Sequence, residues 1–102
     1  IPLGGILGKR SLGQDVLLAV EEGIRQSVQY AHAHTDEVLR YCRRHSQEMD
    51  TAVMKSHISL YVNDFSLDLG EEGLKAVRRL FSEAEAHGVF PASTMPLLAG
   101  EQ

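Results

Sequence analysis

The sequence predicts a mainly α chain that opens with one strand and continues through about four helices. Apolar residues recur at i, i+4 and i+8, first at Val16, Val20 and Ile24, and this spacing places them on one face of a helix. Before them, strand-favouring Ile and Leu residues are mixed with Pro2 and adjacent glycines, which is typical of an edge or bent strand. The expected parts are a strand over residues 1–10, a helical region over 11–88 and an irregular tail over 89–102.

Composition and charge exclude several classes of function. The chain has 102 residues, 43% hydrophobic and 24% charged, which fits one small globular domain or a piece of a larger one. Ten basic and fourteen acidic residues give a net charge of −4, which argues against nucleic acid or an anionic membrane as the main partner. Cys42 alone cannot form an internal disulfide and suits a reducing compartment. Because the chain opens at Ile1 without a secretory signal, we expect a piece of a longer polypeptide.

Capping patterns predict where the first helices begin. Ser11 and Gln14 fit a capping box, which predicts a long helix over residues 12–33. Gly23 costs about 1 kcal/mol relative to Ala inside a helix, so we expect it to permit a close helix crossing. Thr35 is the expected N-cap of a second, short helix.

The later helices follow from similar signals. Asp50 is an N-cap candidate for a third helix that ends near Asn63. Alternating apolar and polar residues predict an extended connector over 64–70. Asp68 is the expected N-cap of a fourth helix, which should end at Gly88 in the left-handed conformation.

No residue pattern in the chain forms a complete catalytic or metal site. His32 and His34 lie two apart on a helix and point in different directions, and the usual zinc and calcium motifs are absent from the sequence. His57 lies on the apolar stripe of the third helix, where a partly buried core histidine is expected. Cys42 is expected to act as a small buried hydrophobic residue. We therefore predict no metal ligand and no catalytic residue within this chain.

Three stretches carry a family resemblance in their order and spacing: IPLGG at residues 1–5, RHSQEM at 44–49 and YVNDFSLDLGEEG at 61–73. Together they resemble the C-terminal part of the 1,4-dihydroxy-6-naphthoate synthase family of the futalosine route to menaquinone. SVQYA at 27–31 and RLF at 79–81 are similar as well. The segment over 63–73 is the most specific of these stretches.

The resemblance implies a fragment of a two-lobed α/β fold like that of type II periplasmic binding proteins, in a cytoplasmic lyase. That enzyme would cleave cyclic dehypoxanthine futalosine after proton abstraction by a histidine, without a metal or organic cofactor. The catalytic histidine and main substrate loops would lie in the larger N-terminal portion, so the fragment alone would be inactive. The opening segment would be a hinge-type strand near the cleft between the lobes, where Gly4 and Gly5 would approach the small-molecule substrate.

Three other interpretations stay open at this point. One is a solute-binding protein of similar fold, and another is the sister chorismate dehydratase of the same pathway. The third is a free-standing helical interaction domain. For a fragment, the opening strand would lack its sheet, so self-association through residues 1–8 is also predicted.

Overall fold

The computed structural model describes residues 4–47 and 50–101. These residues form a short 3₁₀ turn and five helices, and none of them is in a strand. After the 3₁₀ turn at Arg10–Leu12, the helices are α1 at Gln14–Ala33, α2 at Thr35–His45, α3 at Thr51–Tyr61, α4 at Asp64–Leu67 and α5 at Gly70–Ala86. The mainly α prediction is therefore confirmed.

The chain divides into two compact units. The middle unit is Gly23–Asp68, and the terminal unit contains the described residues up to Glu22 and from Leu69 onward. Helix α1 supplies its first part to the terminal unit and its remainder to the middle unit. No helix in the described part of the chain is long and apolar enough to cross a membrane.

The N-terminal strand prediction is wrong for the residues that the structure describes. Residues 4–9 have no regular secondary structure, and residues 1–3 lie outside the described range. A strand needs a neighbour for its backbone hydrogen bonds, and the described residues supply no second strand. Ile6 is 76% exposed and Leu7 95%, so their apolar surface is open to water. Self-association through residues 1–8 stays a prediction.

Helix α1 begins later than its predicted capping box. Ser11 lies inside the 3₁₀ turn, which ends at Gly13 with a φ of 83°. The carbonyl of Gly13 then accepts the N–H of Leu17 at 3.2 Å, so the α-helical bonds begin at this glycine. Leu17 is partly buried, whereas Val16 and Val20 of the predicted inner stripe are 46% and 51% exposed.

The middle unit contains a break between α1 and α2, two helices that nearly join. The N–H of His34 donates to the carbonyl of Tyr30 at 3.0 Å, but His34 itself has φ −127° and ψ 48°, which interrupts the helix. Thr35 is the first residue of α2, and its hydroxyl donates to the carbonyl of His32 at 3.3 Å. The predicted capping role of Thr35 is therefore wrong, because its hydroxyl is directed back to α1.

Helix α3 begins as predicted. The side chain of Asp50 accepts the N–H groups of Ala52 and Val53 at 2.9 and 3.0 Å, which confirms it as the N-cap. Leu39 on α2 and Met54 on α3 are each only 5% exposed. They are the only buried large apolar side chains in the described part of the chain.

The predicted extended connector over residues 64–70 is wrong, because Asp64–Leu67 form the one-turn helix α4. Asp68 ends α4, and its N–H donates to the carbonyl of Asp64 at 3.0 Å. It does not cap α5, whose N-cap is Leu69. The alternation of apolar and polar residues here arises from a single helical turn and the connection that follows it.

Helix α5 in the terminal unit ends where the sequence places its stop signal. Gly88 has a φ of 71°, and the N–H of Val89 returns to the carbonyl of Ala84 at 2.9 Å. This left-handed glycine satisfies carbonyls that the helix end would otherwise leave unpaired. Residues 89–101 contain no helix or strand.

A carboxylate organises the tail within the terminal unit. Glu101 accepts the N–H groups of Leu97 and Leu98 at 3.0 and 3.2 Å, and it forms an ion pair with Arg78 of α5. The two backbone bonds, together with Arg78, lower the pKa of the Glu101 carboxyl below its usual value. The carboxylate thus holds the tail in its turn.

Candidate functional site

A groove with a volume of about 420 Å³ lies within the middle unit. Helices α1, α2, α3 and α4 all contribute to its wall. Its lining residues are His32, Thr35, Lys55, Ile58, Ser59, Val62, Asn63 and Asp64. We call this surface the middle-unit groove.

Two of the polar side chains in the groove already form hydrogen bonds within the chain. The Thr35 hydroxyl donates to the carbonyl of His32, and the amide of Asn63 is used at the start of α4. The ionisable groups are His32, Lys55 and Asp64, all on exposed residues. Such a groove can offer hydrogen bonds and charge to a polar molecule.

No group of three or more His, Cys, Asp or Glu side chains in the described part of the chain lies close enough to hold a metal ion. His32 borders the middle-unit groove, whereas His34 borders a second shallow depression with Glu37 and Arg40. The two histidines are thus directed to different surfaces, as their spacing predicts.

The most family-specific stretch of the sequence contains a structural joint centred on Asn63. The Asn63 side chain accepts the N–H of Phe65 at 3.1 Å, while Ser66 Oγ accepts the backbone N–H of Asn63 at 3.1 Å. The Asn63 amide nitrogen also donates to the carbonyl of Leu60 at 3.2 Å, at the end of α3. The Asn63 side chain therefore hydrogen-bonds both to the last turn of α3 and to the first turn of α4. Its expected role is to fix the position of α4 after α3.

A second polar joint lies where α1 meets α2. The Tyr30 hydroxyl donates to a carboxylate oxygen of Glu37 at 2.8 Å, and the Tyr30 ring stacks on His34 with centroids 3.9 Å apart. The hydrogen bond to Glu37, followed by slight burial and the negative charge of Glu37, raises the pKa of Tyr30 above its ordinary 10.0. Nothing in the sequence pattern signals this pair, because the contact spans the helix break.

Gly4 and Gly5, the predicted substrate-contacting residues, lie exposed at the start of the described chain. Neither has a positive φ, and a Cβ built on either would have no described atom within 4 Å. Nothing within the described chain therefore requires glycine at these two positions. They do not lie in the middle-unit groove, and their predicted role stays a prediction.

The predictions for His57 and Cys42 have different outcomes. His57 is exposed and stacks on Tyr61 with ring centroids 4.5 Å apart, so the prediction of a partly buried core histidine is wrong. The reason is that the buried side of α3 runs through Met54 and Ile58, and His57 lies outside it. Cys42 is partly buried, so the prediction of a small buried hydrophobic residue is met only in part.

Comparison with known proteins decides the family. The model of a family described as "Menaquinone biosynthesis" matches residues 1–86. The chain belongs to this menaquinone biosynthesis family. It is 52% identical over 97 residues to the 1,4-dihydroxy-6-naphthoate synthase of Thermus thermophilus, covering 95% of this chain and 36% of that protein. It is also 46% identical over 92 residues to the synthase of the same name from Streptomyces coelicolor, covering 90% of this chain and 33% of that protein.

These relatives confirm the resemblance drawn from the sequence motifs. The chain spans only about a third of the length of the two curated relatives. Of the RHSQEM motif, residues 48 and 49 lie outside the described range. Membership of a biosynthetic family therefore rests on similarity over nearly the whole chain, and the structure adds the joint at Asn63.

Proposed function

We propose that this chain is the C-terminal portion of a 1,4-dihydroxy-6-naphthoate synthase. The observation that carries the proposal is the 52% identity to the Thermus synthase across 95% of this chain. The similarity is not confined to one helix or motif, so a shared helical architecture alone does not account for it. The complete polypeptide would have the two-lobed α/β fold of type II periplasmic binding proteins.

The reaction of the complete enzyme would be a lyase step in the cytoplasm. It would convert cyclic dehypoxanthine futalosine to 1,4-dihydroxy-6-naphthoate, starting with proton abstraction by a histidine in the larger N-terminal portion. This chain would supply no catalytic residue.

The contribution of this chain would be structural, with one exception at its start. Gly4 and Gly5 would lie beside the cleft between the lobes and let the substrate approach the backbone closely. Their open surroundings support this role, because neither local backbone conformation nor packing within the described chain requires glycine. In a polypeptide of the full length of the synthase, Gly4→Ala or Gly5→Ala should raise the KM for substrate. The Tm of either variant should stay nearly unchanged. Unchanged kinetics in both variants would remove the role.

The proposed function is tested by exchanging one segment of the Thermus synthase. In this segment-exchange protein, the present chain replaces the matched 97 residues of the Thermus relative. We expect its gene to restore menaquinone to the lipid extract of a Thermus thermophilus strain that lacks the synthase. A gene for the 102-residue chain alone should not restore it.

Feeding controls separate the alternatives. Added 1,4-dihydroxy-6-naphthoate should restore menaquinone in the deletion strain with or without either gene, because it enters after the missing step. The segment-exchange gene should fail in a strain that lacks chorismate dehydratase instead. Rescue of that second strain would favour the dehydratase, and a stable segment-exchange protein that rescues neither strain would favour a solute-binding or interaction role.

A further inference from the structure

Helix α3 has apolar side chains on two sides, and the described part of the chain covers only one of them. On the inner side Met54 is 5% exposed and Ile58 is partly buried. Residues 53, 57 and 60 lie on a neighbouring side, because positions i, i+4 and i+7 fall on one helix face, and Tyr61 lies between that side and Met54. Val53 is 50% exposed, Leu60 62% and Tyr61 52%. We call these four residues the outer α3 face.

Helix α3 has fewer charged residues than is usual for a solvent-exposed helix. Lys55 is the only Lys, Arg, Asp or Glu among its eleven residues. The His57 ring stacks on the Tyr61 ring, with an interplanar angle of 29°, so the two rings form one aromatic cluster on this helix. A helix that is apolar around most of its circumference is typically buried, and an exposed apolar surface marks an interaction site.

We propose that the rest of a synthase-length polypeptide covers the outer α3 face. This inference rests on the proposed function. About two thirds of the length of the two relatives lies outside the segment that matches this chain, which is enough polypeptide to form the cover. A second copy of the chain is a poorer candidate, because a stable interface uses about 20–30 residues from each partner.

The chemistry of the face specifies what the covering surface must present. Val53 and Leu60 need apolar side chains opposite them, since burial of their surface is favourable only against apolar neighbours. The Tyr61 hydroxyl and a ring nitrogen of His57 need hydrogen-bond partners once water is removed. The covering surface is therefore apolar, with at least one hydrogen-bonding group beside the His57–Tyr61 stack.

Hydroxyl-radical footprinting compares the 102-residue chain with the segment-exchange protein. We expect oxidation of Leu60 and Tyr61 to be several-fold slower in the segment-exchange protein, with rates normalised to a free reporter peptide. Equal rates in the two proteins would overturn the proposal. Protection already present in the 102-residue chain, whether or not it grows with concentration, would overturn it as well.

A pair of charge substitutions on the same helix provides the second readout. Leu60→Glu should lower the Tm of the segment-exchange protein, while Ala52→Glu, at an exposed position outside the face, should leave it nearly unchanged. Equal effects of the two substitutions would contradict the proposed cover. Enzyme activity distinguishes the two proposals. If the segment-exchange protein is active but its Leu60 is oxidised as fast as in the isolated chain, the outer α3 face is not covered, and the proposed function is still supported.

Discussion

Asn63 illustrates how a single side chain sets the geometry of the middle unit. Its carbonyl oxygen accepts a hydrogen bond from the first turn of α4, and its amide nitrogen donates to the last turn of α3. Asp can replace the acceptor but not the donor, and Ala can replace neither. The asparagine therefore has a physical reason to occupy this position in the most family-specific stretch of the chain.

The Asn63→Ala variant should lose about 1 kcal/mol of unfolding free energy, the usual cost of removing a helix N-cap. Asn63→Asp should lose less, because Asp keeps the acceptor for the N–H of Phe65. Urea unfolding followed by circular dichroism measures both variants. Equal losses in the two variants would show that the acceptor is not what stabilises the joint.

Tyr30 provides a test in the alkaline range. Its raised folded-state pKa means that the hydrogen bond to Glu37 stabilises the fold fully below pH 10.0 and is lost as pH rises through the folded pKa. Glu37→Ala should lower the pKa of Tyr30, as measured by ultraviolet titration with Tyr30→Phe for assignment. Glu71→Ala, which removes the exposed ion pair with Lys75, should leave the pKa of Tyr30 where it is.

Two glycines in different elements should respond to alanine in opposite directions. Gly88→Ala should cost about 1–2 kcal/mol, because its φ of 71° is left-handed. Gly23→Ala should gain about 0.5–1 kcal/mol, since Gly23 lies inside α1 and its Cβ would meet no described atom within 4 Å. Thermal unfolding measures both changes. A destabilising Gly23→Ala would support the close helix crossing that the sequence predicts, although no described atom lies within 4 Å of the added Cβ.

At the scale of the elements, local signals predicted some helix ends correctly and missed others, since the expected caps at Ser11, Thr35 and Asp68 are not formed. Asp50 and Gly88 were predictable because a cap or a left-handed glycine acts within one helical turn. The opening strand and the inner position of His57 were not, since both depend on what lies across from them. The middle-unit groove was equally hidden, because its wall comes from four helices. The substrate contact of Gly4 and Gly5 stays a prediction, because it depends on parts of the enzyme that lie outside this chain.

The opening segment gives a prediction for the chain in isolation. Ile6 and Leu7 expose most of their apolar surface, and such surface favours association when no other element covers it. Sedimentation velocity should therefore detect self-association of the 102-residue chain, and Leu7→Lys should weaken it. Val89→Lys, at another exposed apolar residue, is the matched control and should have little effect. A strictly monomeric chain at high concentration would contradict the prediction.

For the whole molecule, the small core and the family membership both favour a chain that packs against further polypeptide. Only Leu39 and Met54 are buried large apolar side chains among the described residues, whereas many others are a third or more exposed. An ordinary domain of this size buries roughly two thirds of its unfolded surface around one core. The shortage of buried side chains is what the proposal expects of one third of a synthase, whose remaining surface packs against the rest of the polypeptide.

The most direct test of this account is product formation by the purified segment-exchange protein. With cyclic dehypoxanthine futalosine as substrate, we expect it to form 1,4-dihydroxy-6-naphthoate with a kcat/KM within about tenfold of the parent Thermus enzyme, a difference of about 1.4 kcal/mol in transition-state stabilisation. The 102-residue chain alone should form none. A folded, monodisperse segment-exchange protein without product, or product from the isolated chain, would contradict the account.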